Sequence, residues 1–288
     1  MSGAGEDGVV RLPGGVEFGR FDLYELCVQS PALEAGFLRA VHGGGGGGGG
    51  LTLGEDFSGP AGISRAWLVA DERARAVAAD RDAGPLRYAV SRLAHESSSA
   101  LERLTIRERD VMEVGDRADV IAALNFGVCE IRERARLVTY LRHVVYRLNA
   151  HGVFVADLYA GADAMSVGES RQIVETDWGE VTYVWEQRSA DACTARVVNA
   201  ISFGAGESEL RDAFVYDWRL WGVAELREAM REAGFRVTEV HAGYGEAIDG
   251  EGNLVLGRPI STDLEGASAS DDRPEADDPA VYLVVGRV

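Results

Sequence analysis

Acidic and turn-forming residues follow four short apolar segments of the sequence, each the length of a buried strand. Such residues collect at one edge of a parallel sheet, where open α/β folds bind their ligands. A carboxylate there can accept hydrogen bonds from ribose hydroxyls, and a turn of small residues lets a ligand approach the backbone. The candidate binding residues are Glu55, Asp56, Phe57, Ser58, Gly59, Asp80, Asp110, Val111, Asn125 and Phe126.

The spacing of these residues makes the pattern informative. Asp80 comes 25 positions after Glu55, which is the distance of one further βα unit, and a carboxylate there suits both hydroxyls of an adenosine ribose. One polar strand end is common by chance, whereas four in register are not. The alternatives are a helix N-cap for Asp56, a simple turn former for Asp80 and a solvated surface position for Asp110.

The elements that position these residues alternate between strand and helix from Leu51 onward. This order predicts an α/β fold with a doubly wound, mostly parallel seven-stranded sheet. The predicted strands are Leu51–Asp56, Ala76–Asp80, Leu104–Arg107, Asp119–Leu124, Gly152–Leu158, Phe235–His241 and Val281–Val285, and the predicted helices are Gly62–Ala70, Pro85–Leu93, Glu130–Leu148 and Val223–Ala233.

After the fifth strand the hydrophobic period changes from helical spacing to alternation. Residues of about 170–221 are rich in aromatic and β-branched side chains, which predicts an antiparallel β segment inserted into the α/β fold. Elements inserted there can close over a ligand at the strand ends. We therefore expect a substrate-facing wall formed by Trp185, Tyr216, Trp218, Arg219 and Trp221. The three tryptophans have the alternative of a place in the core, and Arg219 has that of pairing internally with Asp217 or another acid.

The remaining segments complete the predicted domain organisation. Residues 1–42 carry apolar side chains at helical spacing, interrupted near Pro31, and are predicted to form an N-terminal helical cap. The eight glycines at 43–50 predict a flexible linker. Residues 51–288 form the main domain, in which 261–279 holds seven Asp or Glu residues and is predicted to be a mobile acidic loop.

Composition excludes several classes of function. A formal charge of −18 disfavours nucleic-acid and membrane-surface partners. All 29 basic residues are arginine, so Schiff-base chemistry on lysine, Walker A phosphate binding and the protein-kinase lysine are absent. The histidines and cysteines have no metal-ligand spacing, and no metal is expected. Without a signal peptide or an apolar run of membrane-spanning length, a cytoplasmic location is expected.

The strand-end residues, taken together, resemble the motifs of class I S-adenosylmethionine-dependent methyltransferases, from Phe21 to Val288. Glu55-Asp-Phe-Ser-Gly-Pro-Ala61 looks like the glycine-rich first motif, with Phe57 and Ala61 at positions usually held by glycine. Asp80 matches the ribose-binding acid, Asp110-Val111 the adenine-edge pair, and Asn125-Phe126 the fourth motif. Gly152–Asp157 resembles the fifth strand, and Tyr24 lies in a segment similar to a lid over the cofactor.

The resemblance implies S-adenosylmethionine as cofactor and methyl transfer to a small or medium-sized molecule. Neither a catalytic base, the acceptor nor the oligomeric state is singled out. Two other hypotheses stay open. A nicotinamide-dependent oxidoreductase would normally show GxGxxG after the first strand, and Glu55–Gly62 lacks it. A protein that binds an adenosyl ligand without catalysis would share the fold.

Overall fold

The computed structural model describes residues 8–12, 15–43, 50–245, 247–248, 254–260 and 280–288. The chain forms two compact units, each built from two stretches of sequence. One contains the residues up to Gln29 and Asp163–Leu220, and the other contains Ser30–Ala162 and Trp221–Val288. We call them the antiparallel-sheet unit and the parallel-sheet unit, after the larger sheet within each.

The secondary structure of the described residues alternates as the sequence predicts from Leu51 to Leu158. In chain order the strands are β1 (Val9–Arg11), β2 (Glu17–Gly19), β3 (Thr52–Asp56), β4 (Arg75–Asp80), β5 (Leu104–Glu108), β6 (Ala118–Ala123), β7 (Leu148–Ala160), β8 (Gly168–Thr176), β9 (Gly179–Asp191), β10 (Arg196–Ala205), β11 (Ser208–Arg219), β12 (Val237–Ala242), β13 (Ala247–Ile248), β14 (Leu254–Val255) and β15 (Ala280–Arg287). The α-helices are α1 (Arg20–Cys27), α2 (Pro31–His42), α3 (Gly62–Ala70), α4 (Ala83–Glu96), α5 (Ser98–Leu101), α6 (Arg134–Arg147) and α7 (Val223–Ala233).

The parallel-sheet unit contains seven strands in the order β12-β15-β7-β6-β3-β4-β5. Strands β3 to β7 run parallel, and β15 runs antiparallel to both of its neighbours. The predicted seven-stranded, mostly parallel sheet is confirmed. Because β3 lies between β6 and β4, the ends of these three strands are adjacent at the carboxyl edge.

Successive strand residues point to opposite faces of this sheet. Both faces carry apolar side chains, and helices cover both of them. On one face, Val153 and Val155 of β7 pack in a core with α2 and α3. On the other face, the ring of Phe154 lies 6.1 Å from that of Tyr140 in α6. This two-sided burial explains why the strands read as continuous apolar runs in the sequence.

The antiparallel-sheet unit holds a four-stranded sheet in the order β11-β10-β9-β8 and the hairpin β1-β2. The inserted antiparallel segment is therefore confirmed, and it contains four strands. Strand β8 is exposed along most of its length, so its sequence lacks the alternation of apolar and polar residues that is typical of a half-buried strand. Helix α1 packs against this sheet through Leu23 and Tyr24.

The division into units differs from the predicted cap, linker and main domain. Helices α1 and α2 are separate, with the break next to Pro31 as predicted. However, α1 belongs to the core of the antiparallel-sheet unit, whereas Phe37 and Leu38 of α2 belong to the core of the parallel-sheet unit. Helical spacing shows only that each helix buries one face, and it does not show against which partner.

Two glycines of the predicted linker have definite structural roles. Gly43 ends α2 in the left-handed conformation, with φ at 74°, where glycine has no Cβ penalty. A Cβ on Gly50 would lie 1.8 Å from the carbonyl oxygen of Arg73, so only glycine fits. Residues 44–49 and 261–279 lie outside the described residues, and the flexibility expected of them stays a prediction.

Candidate functional site

The turn after β3 holds Phe57, Gly59 and Ala61 in the left-handed backbone region, with φ at 56°, 49° and 51°. A non-glycine residue in this region costs about 1–2 kcal/mol. Two hydrogen bonds hold the turn: the N–H of Ser58 donates to the carbonyl oxygen of Ala79 at 2.9 Å, and that of Ala61 donates to Ser58 at 2.8 Å. Phe57 and Ala61 thus adopt the left-handed backbone conformation that glycine adopts without strain.

Asp80 connects the end of β4 to this turn. One carboxylate oxygen accepts the N–H of Gly59 at 2.8 Å, and the other accepts that of Asp82 at 2.9 Å. Burial raises the pKa of Asp80, and the two backbone donors act in the opposite direction. The side chain is only partly buried, and each carboxylate oxygen keeps further acceptor capacity. Asp80 is therefore fixed in position and still able to accept hydroxyl groups.

Glu55 lies in β3 and is almost fully buried, with its carboxyl group against the first turn of α3. Its Oε2 accepts the N–H of Ser64 at 2.7 Å, in the first turn of the helix, where a negative charge is favourable. Burial raises the pKa of Glu55 to about 7, against the lowering effect of the hydrogen bonds from Ser64 and of the nearby Arg65. The residue therefore fastens the turn to the helix that follows it.

A second strained turn follows β6, the neighbour of β3. Asn125 and Phe126 both have left-handed backbones, with φ at 55° and 63°, and their N–H groups point in a common direction. Both donate to the carboxylate of Asp157 in β7, at 2.9 and 2.7 Å. Burial raises the pKa of Asp157 to about 7. This carboxyl group holds the turn in a conformation that its side chains disfavour.

Asp110 and Val111 follow β5. The carboxylate of Asp110 caps the short 3₁₀ helix Val111–Glu113 by accepting the N–H of Met112 at 3.0 Å, and it pairs with Arg136 at 2.9 Å. Val111 itself is buried. The structure thus places both predicted residues at the third strand end, and it engages the Asp110 carboxylate in local contacts.

No family model and no curated protein matches the chain, whereas solved structures do. An S-adenosylmethionine-dependent methyltransferase from Clostridium acetobutylicum is 15% identical, with a TM-score of 0.62, over 92% of this chain and 96% of that one. The sugar N-methyltransferase KedS8 from Streptoalloteichus is 16% identical, with a TM-score of 0.61, over 100% and 98%.

A third match is the amino pentose methyltransferase CalS10 from Micromonospora echinaspora, whose structure has S-adenosylmethionine bound. It is 13% identical, with a TM-score of 0.62, over 95% of this chain and 99% of that one. The chain has the class I methyltransferase fold. At such low identity the similarity establishes the fold, and the roles of individual residues depend on the geometry of this chain.

In this methyltransferase fold, Asp56 does not have the position that we predicted for a cofactor contact. The residue is 1% exposed, and its side chain lies on the side of β3 opposite to Glu55. Arg147 Nη1 donates to both carboxylate oxygens, at 3.0 and 2.8 Å, and the Tyr140 hydroxyl donates at 2.9 Å. Asp56 is thus the acidic member of a buried ion pair inside the parallel-sheet unit, and its carboxylate is not accessible to a ligand.

Trp221 likewise does not belong to the predicted substrate wall. It is 1% exposed and lies in the parallel-sheet unit. Its indole N–H donates to the carbonyl oxygens of Val128 and Ile131, at 3.2 and 3.1 Å. The side chain therefore fills the core below the turn after β6, and its polar atom is satisfied there.

The other predicted wall residues lie in the antiparallel-sheet unit. The rings of Tyr216 and Trp218 stack 4.4 Å apart, and Trp185 lies 5.9 Å from Trp218. Arg219 points to the opposite face of β11, since successive strand residues alternate. Its alternative partner, Asp217, pairs with Arg196 at 2.6 Å. The aromatic part of the prediction is thus grouped on one face, and Arg219 is not part of that group.

Tyr24, the predicted lid residue, packs in the core of the same unit. Its side chain is 9% exposed, and its ring lies 4.9 Å from that of Phe214. A contact between Tyr24 and a cofactor stays a prediction.

Sequence reasoning missed Glu34 and the role of Asp157. Asp157 follows an apolar run near the carboxyl end of its strand, as Glu55 and Asp80 do, and that signal is present in the sequence. Glu34 gives no such signal, because it lies within α2. It is 3% exposed, and its Oε2 has no hydrogen-bond partner among the described residues. Burial raises the pKa of Glu34 to about 8, and the charges of Asp157 and Glu55 add to the effect.

These three buried acids predict that stability declines as the pH rises. Each has a folded pKa above its unfolded value, so the folded protein holds protons that the unfolded chain releases. The three contributions are all complete below a pH of about 3.8 and are lost as the pH rises to about 8. We expect Glu34→Gln to gain thermal stability relative to the wild type over this range. The exposed Glu72→Gln is the control, and a difference independent of pH would contradict the assignment.

The close packing of Phe57 against Gly127 gives a second prediction about stability. A Cβ on Gly127 would lie 2.9 Å from the Phe57 ring, so Gly127→Ala is expected to destabilise the fold by about 1–3 kcal/mol. The cost should largely disappear when Phe57 is also replaced by Gly, because the obstructing ring is gone. Gly115→Ala is the control, since nothing lies within 4 Å of its added Cβ. Additive effects in urea unfolding would show that the two sites do not interact.

In the described ranges, no group of three or more His, Cys, Asp or Glu side chains is arranged to hold a metal ion. No helix in these ranges is both long and apolar enough to cross a bilayer.

Proposed function

We propose that the protein transfers a methyl group from S-adenosylmethionine to a small or medium-sized acceptor. The observation that carries the proposal is a pair of strained turns at the ends of the adjacent strands β3 and β6. Phe57, Ala61, Asn125 and Phe126 are all non-glycine residues with left-handed backbones. Strain of this kind persists only where the surrounding structure enforces it, and it concentrates at binding sites.

The residues at this edge fit the parts of the cofactor. Asp80 is the acceptor for the ribose hydroxyls, because its carboxylate is fixed by Gly59 and Asp82 yet remains partly exposed. When bound, S-adenosylmethionine supplies an activated methyl group on a sulfonium. The protein's part is then to orient the two reactants and to exclude water.

A small acceptor is supported by charge and by the neighbouring structures. A formal charge of −18 repels polyanionic substrates, and two of the similar structures are described as sugar or amino pentose methyltransferases. Within the aromatic group, Trp185 and Tyr216 are half-buried and form the surface that we assign to the acceptor, whereas Trp218 is buried beside them.

Calorimetry tests the cofactor assignment directly. We expect S-adenosylmethionine to bind at least about a hundredfold more tightly than NAD, a difference of about 2.7 kcal/mol. Tighter binding of NAD would favour the oxidoreductase hypothesis. Release of S-adenosylhomocysteine during incubation with pooled sugars, phenols and amines separates an enzyme from a binding protein, since a non-catalytic protein releases none.

A further inference from the structure

Asn199 occupies the middle of one face of the four-stranded sheet. It pairs with Tyr216 on β11 and with Gln187 on β9, and residues directly opposite each other in a sheet share a face. Asn199 is therefore surrounded on both sides by side chains of the same face. One of these, Tyr216, belongs to the aromatic group described above.

The indole rings of Trp185 and Trp218 meet across the strand that carries Asn199. Trp185 pairs with Ile201, and Trp218 pairs with Val197, so their partners flank Asn199 on β10. The two rings are nevertheless only 5.9 Å apart. They therefore lean toward each other over the Asn199 side chain.

Asn199 is buried without its full complement of hydrogen bonds. It is 1% exposed, and its Oδ1 has no hydrogen-bond partner in the described part of the chain. An unsatisfied buried acceptor is destabilising, and an apolar residue of similar shape would avoid the cost. The neighbouring Gln187 shows the contrast, because its Nε2 donates to the carbonyl oxygens of Ala164 and Ser166 at 3.0 and 2.8 Å.

We propose that Asn199 anchors a subsite for a small ring that bears a hydroxyl or amino group. The ring lies against Trp185 and Tyr216, which are half-buried, and donates one hydrogen bond to Asn199 Oδ1. A sugar and a phenol share this chemistry. Because Asn199 is covered, the ligand reaches it when Trp185 changes rotamer, as side chains at binding sites commonly do. The inference rests on the proposed function, since it assigns this ring to the methyl acceptor.

Two pairs of probes test the subsite and separate its possible ligands. Phenol is compared with anisole, and methyl glucoside with its fully O-methylated form, so each pair differs in the hydrogen-bond donor. Binding to the full chain is followed by tryptophan fluorescence and by saturation-transfer NMR. We expect one donor-bearing probe to bind about tenfold more tightly than its methylated partner. The pair that shows this preference identifies the type of ring.

In Asn199→Leu the preference is expected to vanish, while the melting temperature stays the same or rises. Should that variant fail to fold, Asn199→Ser gives a second test, because its hydroxyl is too short to replace the amide oxygen. Absence of binding by both donor-bearing probes, or a preference that persists in the folded variant, overturns the proposal. No cofactor is present in these titrations, so their outcome is independent of the calorimetry with S-adenosylmethionine.

Discussion

Replacing Asp56 by Ala is expected to lower the free energy of unfolding by about 3–5 kcal/mol. The side chains of Asp56 and Arg147 are both 0% exposed, so the variant leaves a guanidinium buried without its counter-charge. The hydroxyl of Tyr140 loses its acceptor at the same time. Urea unfolding measures the effect, and a loss below about 1 kcal/mol would show that the pair tolerates an absent partner.

A matched variant separates the buried charge from the shape of the site. Asp56→Leu, Arg147→Met and Tyr140→Phe together replace the three polar side chains of the network with apolar ones, and only the carbonyl oxygen of Asp116 loses its bond from Arg147. Replacing a whole buried ion pair in this way is often nearly neutral. We therefore expect the triple variant to recover most of the stability lost in Asp56→Ala. It should also bind S-adenosylmethionine normally, since Asp56 does not face the proposed site.

Replacing Asp80 by Ala is expected to weaken S-adenosylmethionine binding by about ten- to a hundredfold. The variant removes the proposed acceptor of the ribose hydroxyls. It also removes the acceptor of the Gly59 N–H, which fixes the turn after β3. Isothermal calorimetry measures the change, and unaltered affinity would mean that the ribose binds elsewhere.

Asp82→Ala is the control for this experiment. Asp82 lies two positions away and caps α4 by accepting the N–H of Gly84 at 2.8 Å. Its loss is expected to cost about 1 kcal/mol of stability and to leave cofactor affinity unchanged. If S-adenosylmethionine binding were weakened equally in both variants, the cause would be a general loss of order at the carboxyl edge of the sheet and not the loss of the Asp80 carboxylate.

The sequence is sufficient to predict the elements of the parallel sheet. Helices α3 and α7 have the predicted bounds because small turn residues precede both and Gly234 ends α7 in the left-handed conformation. The core strands are recognisable because both faces are buried, and continuous apolar runs result.

The sequence alone cannot show which of two adjacent acids faces a ligand. Glu55 and Asp56 have similar chemistry and lie at the same strand end. Their roles differ because the partner of Asp56 is Arg147, which is 91 positions away. Such a long-range pairing leaves no local pattern. Asn199 is a similar case, since its environment consists of side chains from three strands.

The strand order has a consequence for synthesis on the ribosome. Strand β15 lies between β7 and β12 and pairs with both, yet it is the last of the three to be translated. Until residues 280–287 have emerged, β7 and β12 each present an open edge, and unpaired edges recruit strands from other chains. Nascent chains stalled before residue 280 should therefore bind chaperones and aggregate, whereas chains released beyond residue 287 should not.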